Sequence, residues 1–117
     1  MLTFSKIREM NVARCNQWQG ISTWTVMEWG CAMAGEAGEA CNVAKKIRRI
    51  EQDIAKRAEE IMGKISMDRQ QSKLAEECAD TFIYLDLLCA SQGIDLEAAI
   101  QRKFNRVSIE YGFPQRL

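Results

Sequence analysis

The sequence holds no histidine among its 117 residues. That absence removes Ser-His-Asp triads, His-ligated zinc, haem sites and the carboxylate–histidine di-iron pattern in one step. Catalysis here has to draw on carboxylates, Lys, Tyr, Cys or a metal ion. Proline occurs once, at Pro114, and no segment alternates with a period of two, so no sheet is expected. Net charge is missing too: Lys plus Arg and Asp plus Glu each total 16. Neither a nucleic acid nor a membrane surface is therefore expected as a partner. No run approaches the roughly 18 apolar residues of a membrane span, and the N-terminus lacks a signal-peptide pattern. The cysteines (Cys15, Cys31, Cys41, Cys78 and Cys89) are odd in number and form no CxxC pair. Set beside Ala, Leu and Met in helix-like stretches, they are expected to be reduced core residues of a cytoplasmic protein.

What is present fits one globular domain, 47 % apolar and 27 % charged. Four helical stretches are readable. The first spans roughly Phe4 to Trp18 and ends in the "WQGIST" loop. The second starts at Thr25 and carries its period through Ile47, Ile50, Ile54 and Ile61 to a stop at Gly63, as one helix or as two with a kink. Thr25 and Glu28 fit a capping box there, with Trp24 and Trp29 at the hydrophobic-staple positions. A third covers about Asp68 to Ser91, closed by Gly93, and a fourth opens on Asp95 as N-cap and runs past Lys103. The charged run "KKIRRIEQDIAKRAEE" reads as a solvated face over an isoleucine stripe.

The acids of the second and third helices are out of place. At about 100° per residue, Val26, Trp29, Met33, Ala40, Val43, Ala44 and Ile47 gather on one face. Glu36 falls inside that stripe and Glu39 at its edge. A carboxylate facing a core is costly unless paired, hydrogen-bonded or bound to a cation. Gly35 and Gly38 cost about 1 kcal/mol each relative to alanine in a helix, which suits a place where something approaches the backbone closely. On the third helix, Leu74, Cys78, Leu85, Leu88 and Cys89 make the main stripe. Glu77, Asp80 and Tyr84 line its flank, and Ile83 and Leu87 make the far side apolar as well. Four carboxylates with no nitrogen or sulfur partner suit a hard ion, Mg²⁺ or Mn²⁺. An ExxE pair also arises on any Glu-rich surface helix, and the acids are then salt-bridge partners for "KKIRR" on a non-catalytic interaction module.

The segments "WTVMEWGCAMAGEAGEACNVAKK" (24–46), "LAEECADTFIYL" (74–85) and "GIDLEAAIQRKFN" (93–105) resemble the MazG-like all-α nucleoside triphosphate pyrophosphohydrolases. That family's signature, two acids three apart followed by an ExxD, falls on Glu36 and Glu39, then on Glu77 and Asp80. Gly35 stands where the family doubles its first Glu, and the segment between the pairs is longer than usual. The resemblance implies an all-α, four-helix-bundle-type MazG-like fold. It implies Mg²⁺-dependent cleavage of nucleoside triphosphates to monophosphate and pyrophosphate, deoxyribonucleotides favoured, in nucleotide-pool cleaning. Glu36, Glu39, Glu77 and Asp80 become metal ligands, with Glu36 or Glu39 also orienting or deprotonating the water. Arg14, Trp18, Lys46, Tyr84, Lys103 and Asn105 become the residues that contact the substrate. A dUTPase-like or histidine-biosynthesis-type pyrophosphohydrolase of the same fold fits the same motifs. Because four helices cover acid-lined and apolar faces poorly, a homodimer or homotetramer is expected.

Overall fold

Thr3 starts the first helix by accepting the Lys6 backbone N–H on its hydroxyl at 3.1 Å. The structure, a computed structural model, describes the backbone of residues 1–57 and 60–117 and the side chains of 1–53 and 63–117. In chain order the elements are α1 (Phe4–Trp18), α2 (Val26–Arg57), α3 (Glu60–Ser91) and α4 (Leu96–Tyr111). No strand occurs among the described residues, so the expected all-α class holds. No described helix is long and apolar enough to cross a membrane.

The helix ends follow local chemistry. Gly20, at φ +81°, stops α1, and the Thr23 hydroxyl sits 2.9 Å from where a Cβ would stand, so only glycine fits. α2 opens directly after Thr25, with Glu28 in its first turn. Gly93 (φ +65°) ends α3, where the Ile94 N–H reaches the Cys89 carbonyl at 2.9 Å. Asp95 then caps α4 by accepting the Ala98 N–H at 3.0 Å.

One boundary departs from expectation. Gly63 does not stop a helix; it lies inside α3, which begins at Glu60 rather than near Asp68. A lone glycine costs only about 1 kcal/mol in a helix interior, and tertiary packing overrides it. The expected stripe positions Ile54 and Ile61 lie outside the described side chains.

The chain divides into two units: Met1–Val26 with Asp86–Leu117, and Met27–Leu85. The second unit is a helical hairpin. Along α2, Trp29, Met33, Glu36, Ala40, Val43, Ile47 and Ile50 lose solvent at alternating steps of four and three. Along α3, Gly63, Met67, Gln70, Leu74, Glu77, Thr81 and Tyr84 do the same. That heptad spacing is the signature of a knobs-into-holes seam. Trp29 and Tyr84 meet across it, ring centroids 6.4 Å apart. Seven residues up α2 and seven down α3, Glu36 meets Glu77. Val26 and Ala44, expected in the stripe, are exposed, as is Cys78 on α3. The wider stripe assumed a core on several sides of each helix, whereas a hairpin covers only a narrow seam.

The first unit is tied by a buried charge. Asp86 accepts from Arg8 Nε at 2.8 Å and from Asn11 Nδ2 at 3.1 Å, and Arg8 Nη1 donates to the Ile94 carbonyl at 3.1 Å. Asp86 and Asn11 are buried. The ion pair therefore fastens α1 to the end of α3 and to the turn before α4.

Candidate metal centre

Heptad position decides where the acids stand. Glu36 follows Met33 in the α2 seam and Glu77 follows Leu74 in the α3 seam, so the hairpin brings two carboxylates together where apolar side chains would otherwise meet. Asp80, one turn past Glu77, stands at the exposed edge. One carboxylate oxygen from each of Glu36, Glu77 and Asp80 lies within 4.8 Å of the other two.

Burial and neighbouring like charge both disfavour an ionised carboxylate. The Glu36 carboxyl is pushed up from its ordinary value, first by burial and then by the charges of Asp80, Glu77 and Glu39. None of the four acids takes part in an ion pair among the described residues. Arg48, from the "KKIRR" run, pairs instead with Glu51 at 3.2 Å. The Thr81 hydroxyl turns back onto the Glu77 carbonyl at 2.8 Å and leaves the Glu77 carboxylate alone. The donor set is three hard oxygens with no nitrogen or sulfur, which fits a small divalent cation.

Glu39 is not one of the converging three. It lies one turn beyond Glu36 on α2, exposed, and acts on Glu36 through its charge. Gly35 and Gly38 are open: a Cβ built on either meets nothing within 4 Å. Among the described residues, none makes the close approach that the glycines suggested.

The six further residues fall in both units. Tyr84, half-buried against Trp29, stands one turn after Asp80. Lys46 is exposed, ten residues and about 15 Å along the axis from Glu36. In the other unit, Arg14 is exposed, and Trp18 packs its ring edge-on to Trp24 with centroids 6.1 Å apart. Lys103 lines an open cleft of about 380 Å³ with Ala99, Arg102 and Arg106. Asn105 is engaged by the chain itself: its amide donates to the Leu117 carbonyl at 3.2 Å and accepts the Leu117 N–H at 2.9 Å.

Comparison with protein-family models, with curated proteins and with solved structures gives no match. Function is therefore argued from the carboxylates themselves.

Two polar residues escaped sequence reasoning. Asp86, within "YLDLLC", interrupts an apolar run, and that interruption was the available signal for its buried pair with Arg8. Gln70 occupies the α3 seam with its Oε1 buried and without a hydrogen-bond partner among the described residues. Only the pairing of the two helices reveals it, because "DRQQSK" looks solvated in sequence.

Proposed function

We propose that this chain is a Mg²⁺-dependent nucleoside triphosphate pyrophosphohydrolase of the MazG-like type, with Mn²⁺ as a substitute ion and deoxyribonucleotides as favoured substrates. The proposal includes a MazG-like arrangement of the four helices and a cytoplasmic role in cleaning the nucleotide pool. The observation that carries it is the convergence of Glu36, Glu77 and Asp80 within 4.8 Å, in a seam where an unneutralised carboxylate is costly. These three hold the ion, and Glu39 stands one helical turn away as a further ligand.

When bound, the ion neutralises phosphate charge and favours an ionised water. The chain's residues do the remainder. Hydrolysis forms a bond from a water oxygen to the α-phosphorus and breaks the bond to the bridging oxygen, which leaves with pyrophosphate. Exposed and outside the converging three, Glu39 is assigned to orient that water and take its proton. The Tyr84 hydroxyl, one turn from Asp80 in sequence, is assigned to a hydrogen bond with a ligating carboxylate or the sugar. Lys46 serves a phosphate further along α2. Roles for Arg14, Trp18, Lys103 and Asn105 rest on the family resemblance alone.

The interaction-module reading requires these acids to be engaged by surface cations. The free state of all four among the described residues speaks against it.

The test is a panel of ribo- and deoxyribonucleoside triphosphates with Mg²⁺, resolving the phosphate products. Pyrophosphate is expected, with loss of activity by orders of magnitude in Glu36→Gln, Glu77→Gln and Asp80→Asn and full activity in Glu51→Gln. Release of orthophosphate, or equal activity in all four variants, overturns the assignment. A dUTPase-like specificity shows in the same panel as activity confined to one deoxyribonucleotide, and a histidine-biosynthesis-type enzyme, which acts on another phosphoanhydride, leaves the whole panel uncleaved.

A further inference from the structure

Where the start of α1 meets the turn between α3 and α4, the first unit holds a cleft of about 330 Å³. That volume lies at the small end of the range for small-molecule sites. The walls are chemically mixed. Phe4, Ile94 and Leu96 supply apolar surface, and Ile94 stays 44 % exposed there. Arg8 stands among them with its guanidinium already fixed, Nε donating to Asp86 and Nη1 to the Ile94 carbonyl. A guanidinium has five N–H donors; these bonds use two, and the other three have no acceptor among the described residues. Asp95 and Glu97 line the same cleft. Asp95 gives one oxygen to the Ala98 N–H, and neither acid is in an ion pair among the described residues.

We propose that this cleft binds a free α-amino acid with an apolar side chain. The inference is independent of the catalytic reading and of the metal centre. Charge sorts the ligand. Asp86 already neutralises Arg8, so a lone anion gains little net attraction and meets the two further carboxylates. A lone cation suits Asp95 and Glu97 but leaves the fixed guanidinium donors without an acceptor. A zwitterion answers both. Its carboxylate accepts from Arg8, with the Ser5 hydroxyl as a further donor in the cleft wall, and its ammonium donates to Asp95 and Glu97. Its side chain then covers Phe4, Ile94 and Leu96. Arg8 is held in place before any ligand arrives, so little side-chain freedom is lost there on binding.

Isothermal titration of the 117-residue chain with L-leucine, in chelator and without nucleotide, tests this. Saturable binding at millimolar concentration or below is expected, with amide chemical shifts moving at Ser5, Arg8 and Gly93 to Glu97. Two analogues with the same side chain separate the charges. Isocaproate lacks the ammonium. L-leucinamide lacks the carboxylate and stands in for the N-terminus of a peptide. Each is expected to bind at least about tenfold more weakly than L-leucine. Glu97→Gln and Asp95→Asn each remove one negative charge, and asparagine still caps α4. Both are expected to weaken L-leucine by about threefold or more without weakening isocaproate. Absence of L-leucine binding overturns the proposal. Equal binding of L-leucinamide overturns it in favour of a peptide N-terminus, and equal binding of isocaproate shows that the ammonium is not read. An affinity for L-leucine that ignores both variants places the ligand elsewhere and overturns it as well.

Discussion

Glu36 concentrates the chemistry of the hairpin at one side chain. Burial and three neighbouring carboxylates raise its pKa, so the metal-free fold holds its proton to a higher pH than the unfolded chain does. For an acid shifted upward, the contribution to stability is largest at low pH. It falls as pH rises from the ordinary Glu value, about 4.3, through the raised folded value, and its ionised form then opposes folding. In chelator, Glu36→Gln is therefore expected to melt above the wild type at pH 7, with the gap closing as the pH drops towards 4. If the site binds the ion as proposed, Mg²⁺ is expected to reverse the order. A site holding the ion gains about 2.7 kcal/mol at a hundredfold excess over Kd, and the amide variant gains little of it. Melting curves of both proteins from pH 4 to 8, with and without Mg²⁺, read this directly. A wild type that melts above Glu36→Gln in chelator at pH 7 would contradict the repulsion, and equal Mg²⁺ shifts would remove the metal.

At the scale of the helix, Gly35 and Gly38 make the sharper case. Each weakens α2, and among the described residues nothing outside the local helix comes within 4 Å of where a Cβ would stand. Gly35→Ala and Gly38→Ala are thus expected to stabilise the metal-free chain by up to about 1 kcal/mol each. If a triphosphate comes close to that face of α2, the same variants lose activity with KM raised more than kcat is lowered. Variants that are more stable and fully active would leave the glycines without a role in the site. The helices show what sequence can carry. α1 ran from Phe4 to Trp18 as read, and Gly93 and Asp95 marked the turn before α4, because caps and left-handed glycines act over a few residues. The start of α3 was not legible, because no proline or cap stands near it and the seam carries Gly63 through. Of the four acids read from the sequence, three converge in the hairpin. Glu39 was read from the signature spacing, whereas the hairpin seam chooses Glu36 and leaves Glu39 outside. The cysteines failed for a related reason: composition does not say which face a helix presents, and three of the five are exposed.

Across the whole molecule those thiols divide by unit. Cys15 and Cys89 are buried in the unit built from α1, the end of α3 and α4, while Cys31, Cys41 and Cys78 are exposed in the hairpin, and all five are free. Burial pushes both buried thiols up, and for Cys89 the Asp86 charge adds to this while Arg8 offsets it. A thiol reagent at neutral pH is therefore expected to modify Cys31, Cys41 and Cys78 quickly and the buried pair only through opening of their unit. Arg8→Ala strips the counter-ion from the buried Asp86, a change that costs about 3 kcal/mol in sites of this kind. If the first unit opens cooperatively, Cys15 and Cys89 then accelerate together by about 100-fold, while the three hairpin thiols keep their rates. The local effect of losing Arg8 runs the other way at Cys89: without the guanidinium its thiol ionises less readily and would react more slowly. A common acceleration thus reports opening and not chemistry at one sulfur. Arg8→Met/Asp86→Leu, which removes both charges, is expected to recover most of the protection. Acceleration of Cys89 alone, or no acceleration of either thiol, would show that the Arg8–Asp86 pair does not hold this unit closed.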